Sequence, residues 1–119
     1  MKRRYKIAAI DFDGVIKPTI ENNKYDPPTA ECIETLKALK AAGWKLVLWT
    51  CRAGRNLKAA TNYLKKHGLL HLFDAINNNV HPIRYKTSQK VIATVYIDDR
   101  VIGGFPGWNV VRKELLQRD

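Results

Sequence analysis

The feature that most constrains the fold is an alternation of short apolar runs with longer amphipathic ones. Lys6 to Asp11 ("KIAAID") is a brief apolar run bounded by charge and by Gly14, and Trp44 to Thr50 ("WKLVLWT") repeats it. Val91 to Ile97 ("VIATVYI") is a third such run, and Leu72 to Ile76 ("LFDAI") a weaker one. These read as parallel strands covered on both faces. Between the first two, Asp26-Pro27-Pro28 is a helix-start signal, and Cys32, Ile33, Leu36, Leu39 and Ala42 recur at helical spacing until Gly43. Leu57, Ala60 and Leu64 mark a second helix ending near Gly68. Asn109 to Leu116 reads as a last short helix, with Val110 and Val111 leaving a strand open. This order predicts a three-layer α/β/α sandwich around a mostly parallel, Rossmann-like sheet joined by right-handed crossovers. With no repeat, linker or low-complexity tract, residues 1–119 are expected to form one domain.

Composition narrows the setting. The apolar stretches are too short to span a bilayer, and the basic "MKRRYK" leads straight into a strand-like run rather than a signal-peptide core, so a cytoplasmic protein with no membrane partner is expected. Cys32 and Cys51 lack metal or redox spacing and are expected as buried, reduced thiols. The 21 Lys and Arg against 11 Asp and Glu give a net charge of +10, which favours an anionic substrate or partner.

The polar signals fall where an open parallel sheet binds ligands, beyond the carboxyl ends of its strands. The first run ends in Asp11 and Asp13, the second in Thr50 and Arg52, and the late one in Asp98 and Asp99, with Lys86 and Lys90 just before it. Four carboxylates brought together would repel one another unless a cation joined them. Mg²⁺ suits such a set, since it takes oxygen ligands and is usually held by one or two carboxylates plus a substrate phosphate. A phosphoryl substrate explains the accompanying lysine and hydroxyl, because its non-bridging oxygens need positive charge and donors. Aspartate is a sensible nucleophile, being ionised at neutral pH without a base to activate it. A second aspartate can protonate the leaving oxygen and later take a proton from water. Gly14 allows a tight turn through which backbone amides can approach phosphate.

These residues resemble the haloacid dehalogenase-like (HAD) superfamily of aspartate-nucleophile phosphohydrolases. "DFDGV" looks like its first motif, the strand ending in Thr50 its second, a lysine its third and "YIDD" its fourth, in family order. The resemblance implies that Asp11 is nucleophile and metal ligand. Asp13 would be the acid–base group and bind metal through its main-chain carbonyl. Thr50 would hold phosphate, and Lys90, with Lys86 as the runner-up, would stabilise nucleophile and phosphate. Asp98 and Asp99 would complete the Mg²⁺ site, one of them directly. The gaps where the family inserts its cap domains are short here, so the chain is similar to the small uncapped members found in bacteria and phages. An open site would admit large phosphorylated substrates such as nucleic-acid ends or proteins, with small molecules such as a nucleotide also open.

Other readings carry less. Cysteine-phosphatase chemistry needs an arginine six positions after the thiol, and Leu57 stands six after Cys51. His67, His71 and His81 lack zinc spacing and are expected at helix ends or on the surface. "NNNVHP" reads as turn chemistry, the alternative being a segment that borders the site at a strand end. Trp44, Trp49 and Trp108 are expected to pack rather than to stack on a ligand. The alternative function is a non-catalytic nucleic-acid-binding module, which would not require both Asp11 and Asp13. A phosphorylation-receiving signalling domain would have its acceptor aspartate on the middle strand and its acidic pair on the first, the reverse of this motif order.

Overall fold

The first strand, β1 (Ile7–Ile10), is buried at every position, as a run without polar alternation requires. It lies inside a sheet of four parallel strands in the order β3-β2-β1-β4, seen in a computed structural model that describes residues 5–18, 26–81, 83 and 87–118. The other strands are β2 (Lys45–Leu48), β3 (Ala75–Ile76) and β4 (Val95–Ile97). Helix α1 (Ala30–Ala41) links β1 to β2, α2 (Gly54–Lys66) links β2 to β3, and α3 (Trp108–Leu116) follows β4. The predicted parallel α/β architecture is therefore the observed one.

Helix boundaries follow capping chemistry. Thr29, rather than the Asp26-Pro27-Pro28 signal itself, caps α1, its hydroxyl accepting the Cys32 N–H at 3.1 Å. Helix α2 has no side-chain cap at Ala53 and ends at His67 before Gly68, whose φ of 71° suits a residue without a Cβ. The tail is helical: Trp108, Val111 and Leu115 recur on one face and are buried.

Two strands are shorter than the apolar runs predict. A 3₁₀ turn over Leu70–Leu72 uses the start of "LFDAI", and the Asp74 carboxylate accepts the Leu46 N–H at 2.8 Å and the Lys40 ammonium at 2.7 Å. In the late run, side chains replace ladder partners before β4 begins. Asn79 Oδ1 accepts the Ile92 N–H at 2.7 Å, and Thr94 Oγ1 accepts the Ile7 N–H at 3.0 Å.

Connection handedness explains the layering. The crossovers β1-α1-β2 and β2-α2-β3 move the same way across the sheet, so both helices lie on one face. There Ile10, Leu48 and Ile97 pack with Leu36 and Leu39 of α1, Leu64 of α2 and Val111 of α3. The return from β3 to β4 runs the other way and covers the opposite face, where Val80, Ile83 and Val91 pack on Ile7, Ala9 and Val47. That outer layer is irregular rather than helical among the described residues. No helix among them is long and apolar enough to cross a membrane.

Candidate active site

Strand order and register assemble the site. Strands β1 and β4 are neighbours, yet the chain leaves β1 for β2 over one face and reaches β4 from β3 over the other, so the gap between them is the switch point at which open sheets bind ligands. Ile10 pairs with Ile97, and the Asp11 N–H donates to the Ile97 carbonyl at 2.9 Å. Asp11 and Asp98 therefore emerge side by side. Carboxylate oxygens of Asp11, Asp98 and Asp99 lie within 4.8 Å of one another. The cleft around them, about 770 Å³, is also lined by Asp13, Trp49, Thr50, Cys51 and Arg100.

The crowding has an electrostatic signature. Burial, then the hydrogen bond with Asp99 and the charge of Asp98, push the Asp11 carboxyl from an ordinary 3.8 up to about 7, against the opposing pull of the Phe12 N–H. That N–H donates to Asp11 Oδ1 at 2.8 Å and fixes the carboxylate's orientation. The Arg100 N–H donates to Asp98 Oδ1 at 3.0 Å and holds the Asp98 carboxyl below its ordinary range. A set of hard oxygen donors that pays for its own proximity in raised proton affinity fits a hard divalent cation such as Mg²⁺.

Asp13 faces the other way. After β1 the chain closes a tight turn in which the Phe12 carbonyl accepts the N–H groups of Ile16 and Lys17, both at 3.0 Å. The turn delivers Asp13 to Arg52, which grips it with Nε on Oδ2 and Nη2 on Oδ1, each at 2.8 Å. The guanidinium holds the Asp13 carboxyl below the usual range. Asp13 thus lines the cleft while its carboxylate stands outside the cluster that could hold a cation.

Gly14 makes the tight turn expected of it. Its own N–H donates to the Lys17 carbonyl at 2.9 Å, and its φ is 77°. A Cβ built there would stand 2.9 Å from Asp99 Cγ, so the missing side chain is the space the Asp99 carboxylate occupies.

Thr50 is placed as predicted, at the end of β2 in the cleft, with Oγ1 accepting the Arg52 N–H at 3.1 Å. Lys90 is not brought there. Tyr96 alternates with Val95 and Ile97 and so faces away from the helices, and the Lys90 ammonium rests over its ring, 4.7 Å from the centroid. The runner-up, Lys86, lies outside the described residues.

Sequence reasoning also missed contributors or, for the segment holding Asn77, favoured turn chemistry over a place at the site's border. Asn77, at φ 54°, accepts the Thr50 N–H on Oδ1 at 2.9 Å and so positions Thr50; Asn is among the non-glycine residues that tolerate this conformation best. Arg100 lines the cleft with no local pattern to mark it. Trp49, expected in the core, is half-buried on the cleft wall. Cys51, expected buried, is exposed, because it follows the strand end instead of lying within it, whereas Cys32 is fully buried. Trp108 packs as expected and donates Nε1–H to the Val15 carbonyl at 3.0 Å.

No protein-family model and no curated protein matches the chain. It is similar to a solved structure described as that of a conserved protein from Bacteroides thetaiotaomicron, with a TM-score of 0.80 and 29% sequence identity over 98% of this chain and 93% of that one. The likeness extends the α/β architecture over nearly the whole chain and names no chemistry.

Proposed function

We propose that the protein is a Mg²⁺-dependent phosphomonoester hydrolase of the HAD-like type that works through an aspartyl-phosphate on Asp11. The observation that carries this reading is the convergence of Asp11, Asp98 and Asp99 within 4.8 Å at the ends of adjacent parallel strands. Bound by these three, Mg²⁺ would offset their mutual repulsion and the charge of the phosphoryl oxygens.

Asp11 offers one oxygen to phosphorus while the Phe12 N–H holds the other. The new O–P bond forms as the ester P–O bond breaks, and the leaving oxygen takes a proton from Asp13. Water then attacks the phosphorus, gives its proton back to Asp13 and releases phosphate and free Asp11. Thr50 Oγ1 and Arg100 are the nearby donors for phosphoryl oxygens. Arg52 keeps Asp13 ionised in the resting state, which suits the second step; in the first, Arg52 has to release it, and a substrate phosphate is the natural competitor for the guanidinium.

The test is hydrolysis of an aryl phosphate by purified protein with Mg²⁺ and with EDTA. Turnover is expected only with the metal and is expected to fall by at least about a thousandfold in Asp11→Asn. Activity in EDTA, or turnover retained by that variant, would reject the mechanism.

A further inference from the structure

Beside the acidic cleft, on the far side of Arg52, runs a second cavity of about 510 Å³ between the turn after β1 and helix α2. Phe12, Lys17, Arg52, Asn62, Tyr63 and Lys66 are among its walls. Phe12 and Tyr63 meet edge to face with centroids 5.2 Å apart, the His67 ring lies tilted against Tyr63 at 4.6 Å, and Arg52 lies 4.8 Å over the Phe12 ring. Tyr63 and His67 are half-buried and present ring surface to the groove.

The helix that forms its long wall is the most basic of the three. Helix α1 balances Glu31 and Glu34 with Lys37 and Lys40, and α3 sets Glu114 against Arg112 and Lys113. Helix α2 carries Arg55, Lys58, Lys65 and Lys66 and no acid at all, with all four exposed. At about 1.5 Å per residue it extends about 20 Å away from the cleft. A single phosphate would use one position along such a wall, whereas a repeating anion uses its length.

We propose that this groove takes the phosphodiester backbone of a single-stranded polynucleotide whose terminal phosphate lies in the acidic cleft. The proposal rests on the phosphohydrolase reading of that cleft. Lys66 in the groove wall and, outside it, the exposed cations of the same helix meet successive phosphates, Asn62 offers an amide between them, and Tyr63 and His67 give bases a ring to lie against. Arg52, shared with Asp13, marks where groove and cleft join.

The experiment is fluorescence anisotropy of a labelled short oligothymidylate lacking a terminal phosphate, titrated with the full chain in Mg²⁺ at several salt concentrations. Binding is expected, with a log–log salt slope of about −2, corresponding to three phosphates at about 0.7 each. Lys66→Glu is expected to weaken binding at least about fivefold and to flatten the slope by about 0.7. Lys113→Glu on α3 makes the same change in net charge and is expected to cost less than about twofold. Absence of binding, no effect of Lys66→Glu, or equal losses in the two variants overturns the proposal. Aryl-phosphate hydrolysis by the unaltered protein is scored separately. Hydrolysis without oligonucleotide binding overturns the groove assignment alone, and binding without hydrolysis overturns the reading of the cleft on which the terminal-phosphate placement depends.

Discussion

Replacing Asp11 by Asn is expected to stabilise the metal-free protein at about pH 8 while removing its response to Mg²⁺. The folded state raises the Asp11 carboxyl from 3.8 to about 7, so the folded protein binds this proton more tightly than the unfolded chain does. The stability linked to it is fully present below the unfolded pKa and is lost as pH rises through about 7. Three pKa units would correspond to about 4 kcal/mol. Asp11 is only half-buried, and solvent screening reduces the expectation to about 1–2 kcal/mol. For a chain of this size that is a fall in Tm of about 4–10 °C between about pH 5 and pH 8 in EDTA. The depressed carboxyl of Asp13 works in the opposite sense, but its contribution is lost only as pH falls below the ordinary carboxylate range, outside this window. Asp11→Asn keeps the shape and removes the charge, so its Tm should change less over the same interval and exceed the wild type's at the alkaline end. Millimolar Mg²⁺ should raise the wild-type Tm at about pH 8, as any ligand of the native state does, and leave the variant nearly unmoved. Thermal unfolding followed by circular dichroism, wild type against variant, reads Asp11 together with its coupling to Asp98 and Asp99, because the titrating groups outside the cluster are common to both. Parallel pH profiles for the two proteins would refute the electrostatic account of the cluster.

Gly14→Ala places a methyl group against Asp99 at a φ of 77°, so a loss of about 1–3 kcal/mol in chemical denaturation and a weaker Mg²⁺-induced Tm rise are expected together; a variant that binds Mg²⁺ normally would remove Gly14 from the site. Asn77→Gly keeps the left-handed backbone and loses only the bond to Thr50, so it should be destabilised by about 1 kcal/mol and Asn77→Ala by more, read from urea midpoints. Native protein should react with maleimide at Cys51 alone, since Cys32 is buried and its thiol is pushed up to about 12, and mass spectrometry should find the second label only after denaturation.

The short apolar runs were legible because burial on both faces leaves a strand no polar position, and the helices because their buried residues recur every three or four. Asp11, Thr50 and Asp98 could be placed at strand ends for the same reason, each being the first polar group after such a run, and Asp99 follows Asp98 directly. What stood beyond local pattern was direction. Lys90 is near Asp98 in sequence, yet its ammonium rests over the ring of Tyr96 and not among the residues that line the cleft. Asp13 is one residue beyond Phe12, but its partner Arg52 comes from another segment and was read only as a candidate for phosphate.

By itself the amino-acid order determined which segments become strands and helices and which of them end in acids, since hydrophobic periodicity and burial act within a window of a few residues. Only the tertiary structure decided that β4 lies beside β1, that Ile97 pairs with Ile10, and that three carboxylates consequently share one small volume. Strand order, register and the aim of a side chain depend on contacts between residues far apart in the chain, and no local pattern encodes them.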